Sequence, residues 1–277
     1  MSQGFFGLDL TPLRNSAQYR RLYGAGFISM LGSQATYVAV PFQLRLLTHS
    51  TLDVGSIGLV ELAPLVIFGL YGGVLADRLN RRRLILIMEL VLMASTALLL
   101  ANALLAHPIT WILYVDAAIV AAASSLQSPS VSAMNQIFVA PDLQRSASVL
   151  ANVSGTTASI IGPALGGVAA VAFGPGSVYF ANVVTFSVSL YLLYRLHATP
   201  PPDEVSEGVM TSMREGLSYA KSRPDIVGTY VIDLLAMILA FPVVMLPFVA
   251  ARFHASYALA LLYCLVVVFQ RPRLTAQ

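Results

Sequence analysis

Arg45, Glu61, Asp116 and Asp233 are charged or ionisable side chains set within long apolar stretches of the sequence. A charge stranded in hydrocarbon is costly, so such residues mark ion or substrate pathways by default. At ~1.5 Å per residue, Glu61 falls ~10 Å inside the end of its apolar run, and Asp116 slightly less. Arg45 belongs to the same outer third. The expected chemistry is an ion pair of Arg45 with Glu61 or Asp116, with one of these carboxylates taking up a proton. The uncharged polar residues Gln34, Tyr37, Gln43 and Gln127 are candidates for a substrate cavity, or for hydrogen bonds between helices.

The elements that position these residues follow from composition. Hydrophobic residues make up 57% of the 277 positions and charged residues only 10%. Soluble domains carry roughly 25% charged residues, so this chain lacks the polar surface that water would require. Mean hydropathy is +0.76. Apolar runs near 22–47, 54–76, 84–105, 111–127, 147–173 and 178–196 match the ~20 residues a membrane-crossing helix needs. A seventh lies near 226–249, and a shorter run at 255–269 precedes Arg271 and Arg273. The first run is too long for a signal-peptide core and no cleavage site follows it, so it is expected to remain as the first span.

Positive charges orient these spans. Arg14, Arg20, Arg21, Arg78, Arg81, Arg82, Arg83, Arg145, Arg195, Arg214, Lys221 and Arg223 fall on one side. The opposite loops (48–53, 106–110, 174–177, 250–254) carry only Arg252. The positive-inside rule makes the N-terminus cytoplasmic. The expected organisation is a cytoplasmic segment 1–21, a six-span bundle 22–196, a cytoplasmic linker 197–225 and the start of a second bundle, 226–277. The linker opens on Pro200-Pro201-Pro202 and includes 212–221, which reads as a short surface helix. Phe5, Phe6, Leu8 and Leu10 suggest a second amphipathic surface segment.

Other chemistries find no support. The lone Cys264 forms no intrachain disulfide or cysteine metal site, and His49, His107, His197 and His254 are scattered at span ends. Gly24-Ala25-Gly26 lies inside a span rather than between strand and helix, so it is no phosphate cradle. Asn152-Val153-Ser154 matches a glycosylation sequon within an apolar run. No serine, histidine and acid grouping suggests an enzyme, and no cofactor motif is present. The net charge of +3 resides in membrane-flanking loops and fits lipid headgroups rather than nucleic acid.

Two motifs carry a family resemblance. Between the second and third spans, Gly73, Leu75, Asp77, Arg78, Arg81 and Arg82 resemble motif A of the major facilitator superfamily. Asn80 stands where glycine is usual, and asparagine tolerates the left-handed conformation that a tight turn there would use. In the fifth span Gly155 is followed by Gly162, Pro163, Gly166 and Gly167, resembling motif C of the exporter branches. Proline kinks the helix and glycines admit a neighbouring backbone. The junction from Val40-Pro41-Phe42-Gln43 through Asp53-Val54-Gly55, with Gln127-Ser128-Pro129-Ser130, Arg214-Glu215-Gly216-Leu217 and 241–247, is similar to the enterobactin-exporter branch, the transmembrane secretion effectors.

The resemblance covers about residues 10–265 and implies an all-α polytopic inner-membrane fold. That fold is the N-terminal six-helix bundle of the superfamily plus a seventh span and a partial eighth. It further implies proton-coupled efflux of a small amphiphilic molecule, a siderophore or drug, by alternating access. The motif A loop would latch against the second bundle, and the cavity would lie between bundles, with Gln34, Tyr37, Gln43, Gln127 and Asp233 as candidates. The expected partners are lipid, the cargo and the proton as coupling ion. No arginine occurs in 114–125, where many exporters carry one in the fourth span. Family members have about twelve spans, so the alternative expectation is a truncated, non-transporting remnant or a membrane partner subunit.

Overall fold

The computed structural model describes residues 9–197 together with Gly228 and Ile232, and for 70–78 the backbone course alone. The expected linker, seventh span and partial eighth, with Asp233 and His254, lie outside the described residues. So do Phe5, Phe6 and Leu8.

A short helix α1 (Thr11–Asn15) leads into six long ones. These are α2 (Ala17–Thr48), α3 (Thr51–Arg78), α4 (Arg81–Ala103), α5 (Thr110–Phe138), α6 (Gln144–Phe173) and α7 (Pro175–Tyr194). Each overlaps one of the six apolar runs, with α4 and α7 stopping two residues short of the end of theirs. Helices α3 to α7 include segments long and apolar enough to cross a membrane. Helix α2, 32 residues long, carries Gln34 and Thr36 in its middle and Gln43 in its last third, which dilute its apolar character.

Two expectations are corrected. The fourth run was expected to end near Gln127, but α5 continues to Phe138 through Pro129. Its added turns place Gln127, Ser128, Val131, Ser132 and Asn135 on one helical face, so polar residues there line the interior instead of ending the span. Asn80 was expected in the left-handed region. It has φ −60° and ψ 110° and serves as N-cap of α4, its side chain accepting from the Arg83 amide at 3.2 Å. The turn is closed by a side-chain cap, which requires no positive φ.

The remaining junctions are equally local. His49 ends α2 at φ 54°, its amide donating to the Arg45 carbonyl at 3.0 Å. Gly174, at φ 83°, lets α6 reverse directly into Pro175 at the start of α7. Buried Asn102 spans the α4–α5 turn, donating to the Ile109 carbonyl at 3.1 Å and accepting its amide at 2.8 Å.

Consecutive helices α2 and α3, and α3 and α4, barely touch; the main packing pairs α3 with α5, α2 with α6 and α7, and α4 with α5 and α7. Among the described residues, the two largest apolar clusters of the interior lie at its two ends. Leu22, Ala25, Ile85, Met134, Leu193 and Leu196 form one at the arginine-bearing end. Ala39, Leu44, Val54, Leu99, Leu113 and Tyr179 belong to the other, at the opposite end. The outer faces present residues such as Leu59, Val66, Ile67 and Leu165. This apolar exterior fits lipid as solvent.

Candidate functional site

Among the described residues, cavities lie in both halves of the bundle. The first, ≈ 60 Å³, lies toward the end opposite the arginines and includes Tyr37, Glu61, Thr96, Asp116 and Asn182 in its wall. Helices α2, α3, α4, α5 and α7 therefore converge on it. Asp116 is 3% exposed and accepts a short hydrogen bond from the Ser95 hydroxyl. Glu61, on α3, lines the same cavity, so the structure brings Glu61 and Asp116 together with Tyr37. Arg45 lies one helical turn beyond Pro41 of that wall, in the last turn of α2.

Around this cavity the helices are joined by buried polar pairs. Asn182 donates to Thr36 at 2.8 Å, linking α7 to α2. Tyr179 donates its hydroxyl to Gln43 at 2.7 Å across the same interface. Gln43, 4% exposed, is thus a partner in interhelical packing, and neither cavity wall includes it or Gln34. Gln34 instead faces α6. A Cβ placed on Gly162 would fall 2.6 Å from the Gln34 Cβ and 2.9 Å from the Leu31 carbonyl oxygen. One on Gly166 would stand 2.5 Å from the Ala35 carbonyl oxygen and 2.7 Å from its Cα. Gly162, Pro163, Gly166 and Gly167 are all buried, and the glycines bring the α6 backbone against α2.

The second cavity, ≈ 390 Å³, lies in the arginine-bearing half. Tyr23, Phe27 and Met30 of α2, Glu89 of α4, Gln127 of α5 and Ser189 of α7 contribute to its wall. Gln127 donates to Glu89 Oε2 at 2.7 Å. Ser33 and Leu92 line both cavities, so the two chambers share a wall. Glu89 was not among the residues singled out from sequence. A carboxylate six residues beyond Arg83 reads as an interfacial charge, yet it is only 2% exposed. Its position in an apolar run was the available signal, and its partner Gln127 is too distant in sequence to reveal the pairing.

Among the motif A residues, Gly73, Asp77 and Arg78 have no described side chains. Arg82 donates to the Tyr194 carbonyl at 2.6 Å and lies over that residue's ring, 5.7 Å from its centroid. From α2, Arg21 donates to the Arg195 carbonyl at 2.8 Å. Both cations therefore sit on the C-terminal end of α7, where helix carbonyls lack internal partners and the dipole favours positive charge.

The transmembrane secretion effector family model matches residues 8–268. The enterobactin exporter EntS of Citrobacter koseri is 28% identical over 94% of this chain and 62% of its own length. EntS of Shigella boydii is 27% identical over 91% of this chain and 60% of its own. The chain thus spans about three fifths of the length of these relatives. A crystallised peptide transporter POT bound to alafosfalin superposes with a TM-score of 0.57 at 17% identity, covering 99% of this chain and 54% of that one. That likeness establishes the major facilitator fold. With relatives that are transporters, not enzymes, this multi-pass membrane chain belongs to the transmembrane secretion effector family.

Proposed function

We propose that the chain supplies the first bundle, and the start of the second, of a proton-coupled exporter for small amphiphilic molecules of the siderophore or drug class. The N-terminus and the arginine-bearing end face the cytoplasm, in keeping with the positive-inside distribution. The family supports transport. The observation that carries the coupling is the shared chamber of Glu61 and Asp116, whose lining among the described residues contains no lysine or arginine.

Two carboxylates in one confined chamber disfavour double ionisation, so a proton held between them lowers the electrostatic cost. Opening of that chamber to the outside would load a proton; opening toward the cytoplasm would release it as cargo moves outward. Motif C fits this reading by sealing α6 against α2 and restricting leak between the two ends. Motif A fits as a contact of the arginine-bearing end that biases the alternation.

The test is efflux in cells lacking their own exporters, and in vesicles with an imposed pH gradient. Glu61→Gln or Asp116→Asn should each reduce gradient-driven export roughly a hundredfold or more, on the scale of one lost acid–base group. The double variant should lose little beyond either single one, because the pair acts as a unit. Full export by both single variants overturns the coupling assignment.

A further inference from the structure

We infer that the arginine-end chamber is a binding site for an organic cation, with Glu89 as its anionic contact. Two buried polar atoms in the wall of this chamber have no hydrogen-bond partner among the described residues: Glu89 Oε1 and Ser189 Oγ. Glu89 is 2% exposed, receives a single hydrogen bond from Gln127 on its other oxygen, and pairs with no lysine or arginine among the described residues. An ionised carboxylate so placed is strongly destabilised unless a positive group completes its environment.

The rest of the wall suits the body of such a ligand. Tyr23 and Phe27 offer aromatic rings, to whose faces a cation is attracted, and Met30 adds a polarisable thioether. The volume of ≈ 390 Å³ lies within the range that accommodates small organic ligands. Gln127 is a positioning residue: its amide fixes one carboxylate oxygen, and the other has no partner among the described residues. Because Ser33 and Leu92 also line the Glu61–Asp116 chamber, a cation held here sits one side-chain layer from the proposed proton site.

The inference rests on the exporter reading for its biological meaning, and names the cargo class of the cytoplasm-facing chamber as cationic amphiphiles. Binding can be measured without transport. The purified chain in lipid nanodiscs is titrated with tetraphenylphosphonium and, separately, with tetraphenylborate, an anion of nearly the same size and shape. The unaltered protein should bind the cation at least about tenfold more tightly than the anion. Glu89→Gln should weaken cation binding roughly tenfold or more, while Glu89→Asp, which keeps the charge, should stay within about threefold. Asp142→Asn, which removes an exposed charge outside the chamber, should change nothing.

Equal binding of the two ions, or binding indifferent to Glu89→Gln, overturns the inference. The ion comparison needs no variant, so a folding defect in Glu89→Gln does not protect it. Loss of gradient-driven export with cation binding intact sinks the exporter reading alone. Intact export with binding indifferent to Glu89 sinks only the assignment of this chamber.

Discussion

Replacing Asn80 by alanine removes the acceptor for the Arg83 amide at the start of α4. The expected cost is about 1 kcal/mol, whereas glycine should cost only a few tenths, as at other N-caps. Chemical unfolding in micelles reads both, and equal losses would argue against the cap. Gly166→Ala should be more damaging, about 1–3 kcal/mol, because its new methyl meets the Ala35 backbone and not a side-chain tip that can swing aside. Gly155→Ala, whose methyl would find its nearest neighbour at 3.9 Å, should leave the unfolding midpoint nearly unchanged. Asp9 supplies a pH-dependent contact outside the membrane. Its side chain accepts from the Thr11 hydroxyl and amide and from Ser146, and these bonds hold its carboxyl below the ordinary value of 3.8. A depressed carboxyl contributes stability above its unfolded value and loses it as pH falls through the folded one. The tie between the N-terminal segment and α6 should therefore persist at neutral pH and loosen only below 3.8, read as protease cleavage near residue 9 against pH.

At the level of elements, the end of α7 depends on cations from two other helices. Arg21→Ala and Arg82→Ala should each weaken it by about 0.3–1 kcal/mol, the usual worth of a charge at a helix terminus. Amide exchange over 190–196 should quicken in both variants while that of α5 is unaltered. The helices themselves were legible in the sequence because each is a sustained apolar run, and a helix satisfies every backbone hydrogen bond within one such run. The far half of α5 was not, since Gln127, Ser128, Pro129 and Ser130 resemble a span end when their neighbours are unknown. Gln127 and Ser128 line a cavity and Ser130 is buried in the bundle, so this stretch continues the helix instead of ending it at the lipid edge. The motif C glycines announced a close helix contact, and the α2–α6 approach has that character. The pairing of Glu89 with Gln127 had no local trace, as the two stand 38 residues apart on α4 and α5 and meet only through the way those helices pack.

For the whole molecule, the arrangement of charges makes a topological prediction. With Cys264→Ser as background, exposed positions at the two ends can be tagged as Arg83→Cys and His107→Cys. A membrane-impermeant maleimide applied to intact cells should label only the variant at 107, and the variant at 83 only after permeabilisation. The opposite pattern would invert the proposed orientation. The family and the fold could be read from the arginine loop and the small-residue motif because both are short and local. Which residues share a chamber could not: of the polar candidates Tyr37 and Gln127 line opposite ones, Gln43 accepts a hydrogen bond from Tyr179 of α7, and the Gln34 Cβ faces Gly162 of α6.

The contact of Gly162 and Gly166 with α2 has a mechanical consequence. In the alternation proposed above it would act as a fulcrum placed off-centre on α6, which runs from Gln144 to Phe173. At ~1.5 Å per residue, the arm toward Gln144 is about 30 Å and the arm toward Phe173 about 14 Å. A rocking of α6 about this point moves its arginine-end tip roughly twice as far as the other, and in the opposite direction. A tilt of about 10° carries the long arm through about 5 Å and the short arm through little more than 2 Å, so the same rotation opens one mouth of the bundle widely while narrowing the other only slightly.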